Sequence, residues 1–250
     1  MKMKKYVFRG KTLVLLVMVL YFSCLSSGMA NAEVFAAAAS TQPVMEKLAA
    51  QYEKDTGNHM EYTFAASGQL ARQIEMGAPF DLYISANEKW ARYLEEKGML
   101  EMVRPVAECP LVLWHDSSEA PSLDIIEREN IKVAIADPEV APYGALAKKY
   151  LEEVGLYKKL DAEGRLVIGG DVLKAGLAAK SGGANVACLP LSIAKRLGGN
   201  WTRIPVPPQR IFGGIVVGRK TDVVVDFFEY LFSKPASKLF EEAGFEPVVN

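Results

Sequence analysis

Five times in this sequence a short apolar run ends in small or hydroxyl-bearing residues and passes directly into an amphipathic stretch. The junctions are Ala39-Ser40-Thr41, Ala66-Ser67-Gly68, Ser85-Ala86-Asn87, Pro142-Tyr143-Gly144 and Gly170-Asp171-Val172. The runs before them, such as "EVFAAAA", "HMEYTFAAS", "FDLYIS" and "RLVIGG", are strand-like in length and pattern. The stretches after them have helical spacing: Val44, Leu48 and Tyr52 fall at i, i+4 and i+8, with Gly57 placed to end the helix, and Leu70 and Ile74 share a face that Gly77 closes. Alternation of strand and helix predicts an α/β fold, with mostly parallel sheets flanked by helices.

Two stretches break the rhythm. "MVRPVAECP" (102–110) and "RIPVPPQRIFGGIVVG" (203–218) contain prolines and extended apolar runs with no helix between them. They read as two strands that carry the chain from one lobe to a second and back. The expected lobes are 33–107 together with 211–250, and 108–210.

Residues 1–32 stand apart. Lys2, Lys4, Lys5, Arg9 and Lys11 form a basic start, Thr12–Phe22 an apolar run of 11, and Ala30-Asn31-Ala32 a small-x-small end. Eleven apolar residues are short of the about 20 a spanning helix needs. The pattern is that of a secretory signal, cleaved after Ala32. Cys24 offers the alternative of a lipoprotein, although Tyr21-Phe22-Ser23 is bulky for such a processing site. Cleavage would remove five of the 29 basic residues and none of the 30 acidic ones, leaving a net charge of −6. That balance disfavours nucleic acid, whose phosphate backbone needs a basic footprint. It leaves room for a small anion, which backbone amides bind without cationic side chains. Cys109 and Cys188 remain; in an oxidising compartment they could pair, or stay as buried free thiols.

Each strand-to-helix junction sets a helix N-terminus at the carboxyl end of a strand. There the first four N–H groups lack intrahelical partners, the dipole places roughly +0.5 charge, and open α/β sheets bind ligands. A Ser or Thr ahead of a helix is first of all an N-cap, and Asp171 reads the same way. Ser40 and Ser67 differ in following strand ends reduced to alanine, where small side chains permit close approach of a ligand. At Ser40 we expect both roles, ligand contact and helix cap.

Chemistry on the ligand finds less support. The chain has two histidines, His59 and His115, and no G-x-S-x-G motif. A secreted serine hydrolase built on Ser40 is the remote alternative, distinguished by the base and orienting acid it would need. His59-Met60-Glu61 offers two metal ligands and no third at a metal-site spacing. No cofactor and no direct side-chain coordination of a metal are expected.

The segments "VFAAAAST", "FAASGQLARQIEMGAPFDLYISANEKW", "VAIADPEVAPYGALAKKYLEEVGL" and "FFEYLFSKPASKLFEEAGFEPV" resemble the molybdate-binding proteins of bacterial ABC transporters. The resemblance spans 33–250. It implies a type II periplasmic binding protein, two α/β lobes joined by two crossover strands, with molybdate or tungstate hydrogen-bonded between them for delivery to a membrane permease. It also implies a monomer in the periplasm. Carried over by residue, the oxyanion donors are Ser40 and Ser67 through hydroxyl and backbone N–H, and Tyr143 and Val172 through the main chain. The chain departs from the family at "VACLPLSIA", where Pro190 falls near the place of a ligand-binding tyrosine. The Tyr143 phenol or the Ser192 hydroxyl are the two candidates to replace it. A different oxyanion or a small organic anion on the same fold is the alternative ligand.

Overall fold

The computed structural model describes residues 33–248. The expected signal segment, its cleavage point and Cys24 lie outside the described residues.

Two five-stranded sheets organise the chain. The first has the order β2-β1-β3-β10-β4, built from β1 (Glu33–Ala38), β2 (Met60–Ala65), β3 (Leu82–Ser85), β4 (Leu100–Cys109) and β10 (Gln209–Val216). The second has the order β7-β6-β8-β5-β9, built from β5 (Leu111–His115), β6 (Val133–Ala136), β7 (Leu166–Gly169), β8 (Val186–Pro190) and β9 (Asn200–Arg203). Helices flank both sheets, so the chain forms the two α/β layers that the alternation of strand and helix predicts.

The sheets are mixed. β1 runs parallel to β2 and β3, and β6 parallel to β7 and β8, whereas β10 and β5 pair antiparallel with both of their neighbours. The parallel strands are those followed by helices. The antiparallel ones come from the proline-bearing stretches, where the chain passes between sheets without a helix. Pro105 sits in β4 at an edge of its sheet, beside an irregular register between Ile211 and Phe212, because a residue without N–H cannot serve a central ladder.

Helices α1 (Gln42–Thr56), α2 (Ser67–Glu75) and α3 (Glu88–Glu96) follow the strands of the first sheet. Helices α4 (Pro142–Glu153), α5 (Tyr157–Ala162), α6 (Val172–Lys180) and α7 (Leu191–Leu197) accompany the second, and α8 (Asp222–Tyr230) and α9 (Lys234–Glu242) return to pack on β10 and α1. Val44, Leu48 and Tyr52 are all buried on the inner face of α1, and Gly57 ends that helix at φ 78°, a left-handed turn that favours glycine. Phe35 at the start of β1 packs on Tyr62 and Phe227. From Ala36 onward β1 is alanine only, and its end stays buried without a large side chain.

Register does the next step. Ala38 stands opposite Ala65 in the parallel β1–β2 pair, and Ala37 opposite Ile84 in β3. In the other lobe Ala136 stands opposite Gly169. The carboxyl ends of neighbouring parallel strands therefore finish side by side, and the turns after them are adjacent in space.

Candidate oxyanion site between the sheets

Those turns line one small, partly open cavity. The first lobe contributes Ala38, Ala39, Ser40, Ala65, Ala66, Ser67 and Ala86; the second contributes Ala141, Pro142, Tyr143, Asp171 and Val172. All four residues singled out from the sequence, Ser40, Ser67, Tyr143 and Val172, therefore border the same cavity. Its walls are otherwise mostly alanine, so backbone comes within reach of whatever fills it.

The serines do not behave as caps. Ser40 lies inside the short 3-10 turn Ala39–Thr41, before α1 begins, and no side chain caps that turn or α1. The expectation that Ser40 also caps a helix is thus corrected: the turn sets it one residue too early to reach the α1 N–H groups. Its Oγ is buried, with the residue 1% exposed, and has no hydrogen-bond partner. Ser67 is the first residue of α2, and its Oγ accepts from the Ala86 N–H at 2.9 Å, leaving its proton to donate. True caps in this protein look different: Asn87 accepts from the Trp90 N–H and Asp171 from the Lys174 N–H at 2.9 Å.

On the opposite wall, Pro142 opens α4 and has no N–H, so the first free donor of that helix is Tyr143. Val172 opens α6 directly after the Asp171 cap. Neither needs its side chain to present an N–H. The Tyr143 phenol turns away from the cavity and donates to the Cys109 carbonyl at 3.1 Å, and burial keeps it well above its usual pKa, hence protonated. Ser192 donates to the Ser40 carbonyl at 2.7 Å and does not border the cavity. Both substitutes for the missing hydroxyl near Pro190 are therefore committed elsewhere. We expect Tyr143→Phe to keep ligand affinity within about twofold while lowering stability by about 1 kcal/mol; calorimetric titration and a melting curve measure the two separately.

Among the described residues no lysine or arginine borders the cavity. Its one charged group, the Asp171 carboxylate, is occupied by the Lys174 N–H and lies 3.1 Å from the Lys174 ammonium. Two bonds run from one lobe to the other: the Gly68 N–H donates to the Val140 carbonyl at 2.9 Å, and Arg196 pairs with Glu46 at 3.1 Å.

His59 is exposed and pairs with Glu53 on α1, and His115 ends β5; neither borders the cavity. Among the described residues no cluster of three or more His, Cys, Asp or Glu could hold a metal ion. Cys109 and Cys188 are free and buried, and burial pushes the Cys188 thiol up to about 12.

The model of the family described as bacterial extracellular solute-binding protein matches residues 34–246. The chain belongs to that family. It is 30% identical over 237 residues to the molybdate-binding protein ModA of Escherichia coli (strain K12), covering 85% of this chain and 87% of that one. It is 34% identical over 184 residues to ModA of Rhodobacter capsulatus, covering 69% and 70%. The Azotobacter vinelandii periplasmic molybdate-binding protein superposes with a TM-score of 0.80 at 25% identity, covering 88% of this chain and all of that one. Members of this family bind and hand over a solute and are not enzymes, so this is an exported binding protein that works with a membrane permease.

Proposed function

We propose that this protein captures molybdate or tungstate between its lobes and delivers it to the permease of an ABC transporter. The observation that carries the reading is the Ser40 hydroxyl, buried and unpartnered at a cavity that Ser67, Tyr143 and Val172 also border. A buried hydroxyl left without a partner costs roughly 1–3 kcal/mol, so a ligand able to accept its proton is strongly favoured there. Ser40 and Ser67 donate through hydroxyl and backbone N–H, Tyr143 and Val172 through backbone N–H. The helix N-termini at the cavity each offer roughly half a positive charge, and together they approach the charge of a divalent anion.

A different oxyanion is the second reading, favoured by Pro190, whose ring supplies neither hydroxyl nor N–H where the family's tyrosine is expected.

The remaining particulars belong to the same proposal: cleavage after Ala32, release into the periplasm, and a monomer in solution. The proposed lobes are 33–107 with 211–250, and 108–210; in support, β4 and β10 belong to the first sheet and β5 through β9 to the second.

Calorimetric titration with molybdate, tungstate, sulfate and phosphate is the test. At a free ligand concentration of 100 times Kd, molybdate should stabilise the protein by about 2.7 kcal/mol, raising Tm by roughly 5–10 °C for a chain of this size. No heat and no Tm shift with either molybdate or tungstate overturns the reading; a response to sulfate or phosphate alone establishes the second one.

A further inference from the structure

The carbonyl and the hydroxyl of Ser40 are treated in opposite ways. The hydroxyl is buried with no partner in a residue that borders the cavity, whereas the carbonyl accepts a 2.7 Å bond from Ser192. The two residues are 152 positions apart and belong to different lobes. Ser192 is the second residue of α7, 1% exposed. It borders not the cavity but a separate groove, together with Pro43, Glu46, Lys195 and Arg196. It thus reaches the Ser40 turn without being among the residues that line the ligand space.

The same short helix makes two further contacts to the first lobe: Arg196 with Glu46 at 3.1 Å, and the Lys195 ammonium with the Glu242 carbonyl at 2.9 Å. Those two pairs are exposed and screened by solvent, which leaves them little weight. The Ser192 bond is buried on both sides, where a hydrogen bond has its full effect. It also exists only while the lobes are together, because donor and acceptor follow strands of different sheets, β8 and β1.

We propose that Ser192 is a positioning residue for the bound state: by clamping the Ser40 carbonyl from the opposite lobe, it fixes the turn that holds the Ser40 hydroxyl and slows release of the ligand without touching it. The inference rests on the proposed anion-binding role of this cavity. Because the bond forms after the lobes meet, it acts on the dissociation rate rather than on the encounter rate.

The test measures molybdate binding by wild type, Ser192→Ala and Ser192→Thr, with association and dissociation rates by stopped flow and unliganded Tm by calorimetry. Loss of one uncharged hydrogen bond should raise the dissociation rate about three- to tenfold in Ser192→Ala, leave the association rate within about twofold and leave unliganded Tm unchanged. Ser192→Thr, which keeps the hydroxyl, should restore the wild-type rate. A wild-type dissociation rate in Ser192→Ala overturns the inference, as does a faster rate that Thr does not restore or that comes with a lowered unliganded Tm. Absence of molybdate binding by the wild type overturns instead the function on which the inference rests, and the inference with it.

Discussion

Ser40→Ala is expected to weaken molybdate binding by roughly 10- to 150-fold while leaving the unliganded protein at least as stable as the wild type. The two halves of this result have one cause. The Ser40 hydroxyl makes no hydrogen bond within the protein, so folding gains nothing from it. Replacing it with a methyl group removes a buried polar group that lacks a partner, a change that is neutral or stabilising. An anion in the cavity is the acceptor that the hydroxyl lacks, and a hydrogen bond to a charged group contributes about 1.5–3 kcal/mol, which sets the expected range in Kd. Titration calorimetry and thermal melts without ligand read the two quantities independently. A stability loss with unchanged affinity would mean that Ser40 is a structural residue. Ser67→Ala should differ, because its Oγ already accepts from the Ala86 N–H; there both affinity and unliganded stability should fall.

Gly144→Ala should have the largest combined effect, lowering Tm by roughly 2 to 12 °C and weakening the ligand at least about tenfold. Gly144 is the third residue of α4, and a Cβ built there would lie 2.2 Å from the Ala136 carbonyl oxygen and 2.9 Å from the Asp137 carbonyl carbon. Both are backbone atoms at the end of β6, so no side chain can turn aside to make room. The first turn of α4 must move off the strand, taking the Tyr143 N–H with it. Gly170→Ala is the internal control. Its Cβ would meet only the Lys174 side chain at 3.6 Å, an ordinary contact, although it too is next in sequence to a residue that borders the cavity, Asp171. Equal melting temperatures for the two variants would show that tight packing of α4 on β6 does not set the site.

Much of this protein was legible from local pattern. The i, i+4, i+8 spacing of Val44, Leu48 and Tyr52 and the glycine at 57 describe α1 because a helix must bury one face and leave its last turn through a left-handed residue. The prolines at 105 and 110 and at 205, 207 and 208 mark the crossovers because proline cannot donate within a central ladder. The short helix α5 and strand β9 carry weak signals: six and four residues are too few to establish a period. Antiparallel pairing of β10 and β5 was not legible either, since strand direction depends on how the chain returns rather than on side-chain alternation.

At the site, the residues came from the sequence and their states did not. Alanine before Ser40 and before Ser67 marked those two as candidates, and the family resemblance marked Tyr143 and Val172; all four stand at strand-to-helix junctions, which are legible because helix initiation is a local event governed by a few neighbouring residues. Whether a hydroxyl is spent or free is a nonlocal question. Tertiary contact alone decides that the Ser67 oxygen is taken by Ala86, that the Tyr143 phenol serves Cys109, that Ser192 holds the Ser40 carbonyl, and that the Ser40 hydroxyl is left over. Hydrogen bonds reach only about 3 Å, and partners up to 152 residues apart become neighbours only when two sheets close on one another.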